Sequence, residues 1–159
     1  MSADVITTLL HIGHQALFGA VAAVGFGVLF NIGPHSLIRC ALLGALALSV
    51  RTLCQNAGWS LEGSTFVAAL TTASAVYIGS PRRGQAPNAL TIAGCIAMVP
   101  GAFFIEALIG FLSLTSLPPE TAGPAIARSL TALLRVIFTL GALGAGLTIP
   151  AQLARHRGF

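Results

Sequence analysis

Charged side chains are scarce in this sequence. Only 8% of its 159 residues are charged, whereas a soluble domain carries about 25%, and lysine is absent altogether. Hydrophobic residues make up 55% of the chain, and its mean hydropathy is +0.89. So few charged groups cannot cover the apolar surface of a soluble globule of this size. The composition therefore indicates an integral membrane protein.

Several functional classes lack their characteristic motifs as well. All eight basic residues are arginines spread along the chain rather than a patch interleaved with aromatics, so we expect no nucleic-acid binding. The three cysteines have no zinc spacing, and His11 and His14 have no third ligand, so neither a metal site nor a cofactor is predicted. Without GxSxG, HExxH or a carboxylate pair, no enzyme is indicated. The N-terminus has no positive stretch and no cleavage site, so we expect no removed signal peptide.

Five apolar runs predict an all-α integral membrane protein with about five transmembrane helices in a single domain. Each run is close to the roughly 20 residues that a spanning helix needs. Loops rich in Gly, Pro and Asn separate the runs. A count of four is the alternative if the first run lies partly in the membrane interface. The predicted spans are about 5–30, 37–53, 61–80, 88–114 and 124–150.

The arginines in and near the loops favour one side of this layout by five to two. One side holds the first loop, the third loop and the C-terminus. The other side holds the N-terminus and the remaining loops. Because basic residues collect in cytoplasmic loops, the first side is predicted to be cytoplasmic, with the N-terminus out and the C-terminus in. Chance asymmetry is the alternative. The five are Arg39, Arg82, Arg83, Arg155 and Arg157, and the two are Arg51 and Arg128.

The fourth run, NALTIAGCIAMVPGAFFIEALIGFLSL, carries a helix breaker near its middle. Pro100 removes a backbone donor and clashes with the preceding turn, while Gly101 leaves helical dihedrals at little cost. We expect two half-helices that meet inside the bilayer, as in transporters that bind cargo at such breaks. The half-helix beginning near Ala102 points its first amides into the break, where they favour an anion such as a cargo carboxylate. The alternative is a plain proline kink.

Two charged residues lie within the predicted spans. Glu106 follows the break by about a turn, and a carboxylate at membrane depth must face a cavity, pair with a cation or be protonated. It is either a coupling or cargo-binding group or a structural partner for an arginine. Arg135 lies near the middle of the fifth span, where Glu106, an anionic cargo or an acid of a partner subunit could compensate its charge. Asn31, at the end of the first span, either caps the helix or lines a pathway.

Four runs taken together resemble the threonine/serine exporter family, in its small-subunit branch, which corresponds to the C-terminal half of the full-length proteins. They are VGFGVLFNIGPHSLIRCALLGALA, STFVAA, MVPG and ALGAGLTIP, in that order and spacing. Asn31, Pro100 and Gly101 match the family pattern. Glu106 departs from it, since a small or hydroxyl residue is expected there.

The resemblance implies a multi-pass protein of the bacterial inner membrane that works with a larger exporter-like subunit. Its cargo would be threonine and serine, or a dicarboxylate such as succinate. The predicted substrate-binding residues are Asn31, Pro100, Gly101, Ala102, Glu106 and Arg135. In the rival interpretation the chain is a structural membrane subunit that braces the partner, and the cargo site lies wholly in the other subunit.

Overall fold

The computed structural model describes residues 2–79, 87–116 and 118–156, and all of its regular elements are helical. No β-strand occurs in this part of the chain, so the prediction of an all-α fold is confirmed. Short 3₁₀ turns, Ile96–Met98 and Leu114–Ser116, follow the fourth and fifth helices. The six α-helices are α1 Ser2–Leu29, α2 Pro34–Asn56, α3 Leu61–Gly79, α4 Pro87–Cys95, α5 Gly101–Ser113 and α6 Pro119–His156.

The candidate membrane spans confirm the predicted number of about five. Four helical stretches in the described residues are long and apolar enough to cross a bilayer: Val5–Leu29, Pro34–Asn56, Leu61–Gly79 and Ala122–Ala154. The stretches Asn88–Met98 and Gly101–Ser116 form a fifth candidate when they are taken together, bent at the break between them. The fourth span is therefore broken at Pro100-Gly101, as predicted.

The orientation in the membrane stays a prediction. So do the single domain and the limits of its spans. Length and composition alone define the candidate spans. Three of the arginines on which the orientation depends, Arg82, Arg83 and Arg157, lie outside the described residues.

Local sequence explains where α1 ends and where α2 begins and ends. Asn31 takes the left-handed conformation, with φ of 53°, directly beyond α1, a position in which Asn is the residue most often found after Gly. Pro34 then opens α2, because its missing N–H is not needed in a first helical turn. Beyond Asn56 the chain turns at Gly58, where φ is +86°. The second helix is consequently longer at both ends than the predicted span 37–53.

The chain divides into two compact units, one within Met1–Met98 and Ala142–Phe159, the other Val99–Gly141. In the first unit α2 packs against α1, α3 and α4. Its core consists mainly of small side chains, which let the helices approach closely. One cluster contains Ala47, Leu48, Ala68, Ala69, Cys95 and Met98, and the other contains Ala23, Cys40, Val76, Leu90 and Ala93.

Two glycine contacts fix helix spacing in the first unit. A Cβ placed on Gly19 of α1 would collide with the carbonyl group of Gly44 on α2, so the two backbones touch. A Cβ on Gly146 of α6 would lie 2.7 Å from both the Cβ of Ala69 and the carbonyl oxygen of Phe66 on α3. Only glycine allows these approaches, which in lipid supply much of the van der Waals packing between helices.

The second unit contains α5 and the N-terminal part of α6, up to Gly141, and the 3₁₀ turn Leu114–Ser116 lies between them. Gly110 of α5 faces Ser129 of α6 so closely that a Cβ on the glycine would collide with the Ser129 hydroxyl. Near the start of α5 Phe103 meets Arg135, and further along Glu106 and Gly110 meet Arg128 and Ser129, so the two helices run antiparallel. This arrangement positions the charged residues described next.

Candidate functional site

Pro100 interrupts the fourth span, and its backbone angles of −81° and 58° depart from a helix. Because proline has no N–H and crowds the turn before it, α4 tightens into the 3₁₀ turn Ile96–Met98 and a new helix starts at Gly101. The Gly101 N–H donates to the Val99 carbonyl at 2.9 Å, and the Phe104 N–H donates to the Pro100 carbonyl at 3.2 Å. The predicted break is thus present in the backbone.

The N-terminus of α5 has no side-chain cap, because its N-cap residue is Pro100. Gly101 and Ala102 are exposed, and the amides of Ala102 and Phe103 find no acceptor in the described part of the chain. Bare N–H groups and the helix dipole give this end a positive potential. It has the properties that the sequence predicted for anion binding, although no contact tests that role.

Glu106 pairs with Arg128. The Nε of Arg128 donates to Oε1 of Glu106 at 2.9 Å, and the two side chains are 80% and 39% exposed, respectively. The sequence left open whether Glu106 pairs with an arginine; such a pair is observed, but the partner is Arg128 rather than Arg135. No ion pair joins Glu106 and Arg135 within residues 87–116 and 118–156. The antiparallel packing of α5 and α6 explains the difference, since it brings Arg128 to the level of Glu106.

Arg135 lies over the ring of Phe103, with its guanidinium carbon 5.3 Å from the ring centroid. This is a cation–π contact, which stabilises the charge weakly and leaves the N–H donors free. Phe103 belongs to the first turn of α5, so the guanidinium lies beside the helix end that begins at the break. No acidic side chain pairs with Arg135 among the residues that the structure describes.

Glu106, Arg128, Phe103 and Arg135 line one cavity of about 420 Å³ within the second unit. On α6, Arg128, Thr131, Ala132 and Arg135 have the spacing i, i+3, i+4, i+7 of one helix face, and Ala127 lies beside them. The cavity wall on α5 is formed by Phe103 and Glu106, one turn apart. The volume lies in the range of small-molecule sites, about 300–1,000 Å³. The lining residues are Phe103, Glu106, Ala127, Arg128, Thr131, Ala132 and Arg135.

Residues 15–153 match the family model described as Threonine/Serine exporter, ThrE. The chain belongs to this family. The match covers most of the chain, from within α1 to within α6, and includes the break and the residues that line the cavity. No solved structure matches the chain. Membership confirms the family resemblance seen in the sequence, while the small-subunit branch stays a prediction.

Membership of this family implies that the chain takes part in exporter-type transport of a small solute across a membrane. Together with the candidate spans it identifies a multi-pass membrane protein and supports the predicted location in the bacterial inner membrane. A transporter family also supports the prediction that the chain is not an enzyme.

Asn31 does not line the cavity of the second unit. Its left-handed backbone follows α1, and its N–H donates to the Val28 carbonyl at 3.0 Å. Ile32 donates to the Gly27 carbonyl at 2.9 Å, which satisfies another carbonyl at the helix end. This geometry is that of a helix C-terminal cap. A substrate-binding role for Asn31 stays an untested prediction.

Sequence reasoning missed the role of Arg51, which it assigned only to the side of the second loop. Arg51 lies within α2, is half-buried, and donates from Nη1 to the carbonyl oxygen of Met98 at 3.2 Å. Pro100 and the break leave that carbonyl without its helical partner, the N–H of Ala102. A signal was available, because every helix break creates unpaired carbonyls that a basic side chain can satisfy.

Proposed function

We propose that this chain is one subunit of a secondary transporter that exports a small carboxylate-bearing solute across the bacterial inner membrane. The cargo is threonine or serine, or a dicarboxylate such as succinate. Arg135 carries the proposal, because it is a guanidinium on the wall of a solute-sized cavity with no acidic partner in the described residues. The family match supports the exporter class of function.

The electrostatics of the cavity favour a carboxylate at Arg135. Arginine stays charged at all physiological pH values, and within a membrane its charge must be compensated by an anion, a dipole or water. Glu106, the acid that lines the cavity, already pairs with Arg128. The adjacent first turn of α5 adds positive potential of its own, from the amides of Ala102 and Phe103. In this proposal Pro100 and Gly101, which are not among the residues lining the cavity, contribute by setting where α5 begins.

A larger partner subunit would complete the cavity. Charged groups at membrane depth face a protein interior or a water-filled space rather than lipid tails. The side chain of Arg128 is nevertheless 80% exposed in this chain, beside a broad apolar surface. A second exporter-like subunit covering this surface would enclose both the ion pair and the cargo.

The apolar surface of α5 favours one alternative, in which the chain only braces that partner. Phe104, Ile105, Leu108 and Leu112 are all about half-exposed or more, and they offer a docking face without any cargo chemistry. In that case the double variant Pro100→Ala, Glu106→Gln exports at the native rate when it reaches the membrane at native levels.

Export by cells loaded with threonine, serine or succinate tests the proposal. The cells express this chain alone, then together with its candidate larger subunit. We expect export only from the pair, with the moving solute identifying the cargo. Arg135→Ala should reduce export by at least about tenfold, since a hydrogen bond to a charged group is worth roughly 1.5–3 kcal/mol. Arg135→Lys should only weaken export, because lysine keeps the charge but not the planar fork.

Arg39→Ala serves as the matched control, since Arg39 is an exposed arginine of the first unit that does not line this cavity. All variants are compared at equal amounts in the membrane. Full export by Arg135→Ala would show that Arg135 does not bind cargo. Export by this chain alone would rule out the need for a partner.

A further inference from the structure

One oxygen of the Glu106 carboxylate remains available to the cavity. Oε1 accepts the hydrogen bond from Arg128, whereas Oε2 has no hydrogen-bond partner in the described part of the chain. A carboxylate has acceptor capacity on both oxygens, so the ion pair does not use up its binding ability. Glu106 therefore presents a negative acceptor to the same space that Arg135 lines.

The cavity thus offers two binding groups: the guanidinium of Arg135, which has no acidic partner in the described residues, and the free carboxylate oxygen Oε2 of Glu106. Arg135 lies over Phe103, which is one helical turn before Glu106 on α5. Residues three apart on a helix are separated by about 4.5 Å along its axis. Because Glu106 and Arg135 line the same cavity of about 420 Å³, two groups of one small molecule can contact both. Arg128 balances the formal charge of Glu106 without blocking Oε2.

We infer that Glu106 binds the α-ammonium group of an amino-acid cargo while Arg135 binds its carboxylate, so that the cavity selects zwitterions over dicarboxylates. This inference rests on the proposed export function and states which class of cargo the cavity prefers. An ammonium group donates to Oε2 in a charge-assisted hydrogen bond, which is about twice as strong as a neutral one. The second carboxylate of succinate has no proton to donate, so it would leave Oε2 of Glu106 without a hydrogen-bond partner.

The test uses proteoliposomes that contain the full chain together with its larger subunit. They are preloaded with labelled L-threonine, 3-hydroxybutyrate or succinate. 3-Hydroxybutyrate keeps the carboxylate and the hydroxyl of threonine and lacks only the ammonium group. The ratio of threonine efflux to 3-hydroxybutyrate efflux therefore reports recognition of the ammonium group alone.

Glu106→Gln should lower this ratio by at least about tenfold and raise succinate efflux relative to threonine. Glu106→Asp, which keeps the charge, should retain most of the native ratio. Glu62→Gln is the matched control, because Glu62 lies in the first turn of α3 and does not line the cavity. It should leave the ratio unchanged.

The double variant Glu106→Gln, Arg128→Gln covers the case in which Glu106→Gln fails to accumulate, since it leaves no unpaired charge. It should show the same loss of selectivity. A native ratio in Glu106→Gln or in the double variant overturns the inference. If Arg135→Ala abolishes efflux while the ratio survives in Glu106→Gln, only the inference fails. If Arg135→Ala exports every solute normally, the proposed function fails with it.

Discussion

The guanidinium of Arg51 on α2 donates a hydrogen bond to the carbonyl oxygen of Met98, the last residue before the break region, across 3.2 Å. Met98 is completely buried, so its carbonyl has no access to water. A cation at the C-terminal end of a helix also interacts favourably with the helix dipole. Arg51 therefore stabilises the half-helix that ends at the break.

Replacing Arg51 with methionine should destabilise the first unit. The side chain keeps its approximate length, but the Met98 carbonyl loses its donor, and an unsatisfied buried acceptor costs about 1–3 kcal/mol. We expect a lower Tm for the detergent-purified chain, followed by far-UV circular dichroism. Arg51→Lys, which keeps a charge and a donor, should lose less. Arg39→Met is the control at an exposed position of the same helix. Equal Tm values for Arg51→Met and Arg39→Met would contradict this role.

Two glycines of α6 should respond differently to the same substitution. Gly146→Ala places a Cβ 2.7 Å from Ala69 and from the Phe66 carbonyl, whereas a Cβ at Gly144 meets nothing within 4 Å. Overpacking should cost Gly146→Ala about 1–3 kcal/mol in the free energy of unfolding. Gly144→Ala should be neutral or gain up to about 1 kcal/mol from helix propensity. Thermal unfolding of both variants checks this, and a tolerated Gly146→Ala would mean that α3 and α6 are less closely packed.

Reporter fusions should place the C-terminus in the cytoplasm. The predicted orientation depends on the five-to-two distribution of arginines between the two sides. A green fluorescent protein fused after Phe159 should therefore fluoresce, and alkaline phosphatase fused there should be inactive. The same reporters fused to the N-terminus should give the opposite result. An active phosphatase at the C-terminus would reverse the orientation and require the sides of every loop to be exchanged.

The existence of the helices and of the break could be predicted from the sequence, because both follow from local physics. A run of about 20 apolar residues has few alternatives to a membrane helix. Pro100 disrupts a helix wherever it occurs in an interior position. The limits of the helices were harder to predict, since Pro34 and Gly58 extend or end α2 through turn geometry rather than hydropathy.

The partners of the charged residues depended on how helices pack against one another. The sequence suggested Arg135 for Glu106 because both lie deep in apolar runs. In the folded chain α5 and α6 pack with a register that places Arg128, rather than Arg135, beside Glu106. That register depends on contacts between the two helices, such as Gly110 against Ser129, and hydropathy does not define it. The break predicts an unpaired carbonyl at the end of α4, but only the packing of α2 against that end identifies Arg51 as its donor.

The broken span also constrains how the chain is inserted during synthesis. The helical segment before the break and the one after it are each shorter than the roughly 20 residues that cross a bilayer. Neither half can therefore cross the bilayer alone, so we expect the insertion machinery to handle the two halves as one broken span. Because α2 is made before α4, Arg51 is already in the membrane when the Met98 carbonyl arrives. The guanidinium donor is thus synthesised before the carbonyl acceptor that the break leaves unpaired.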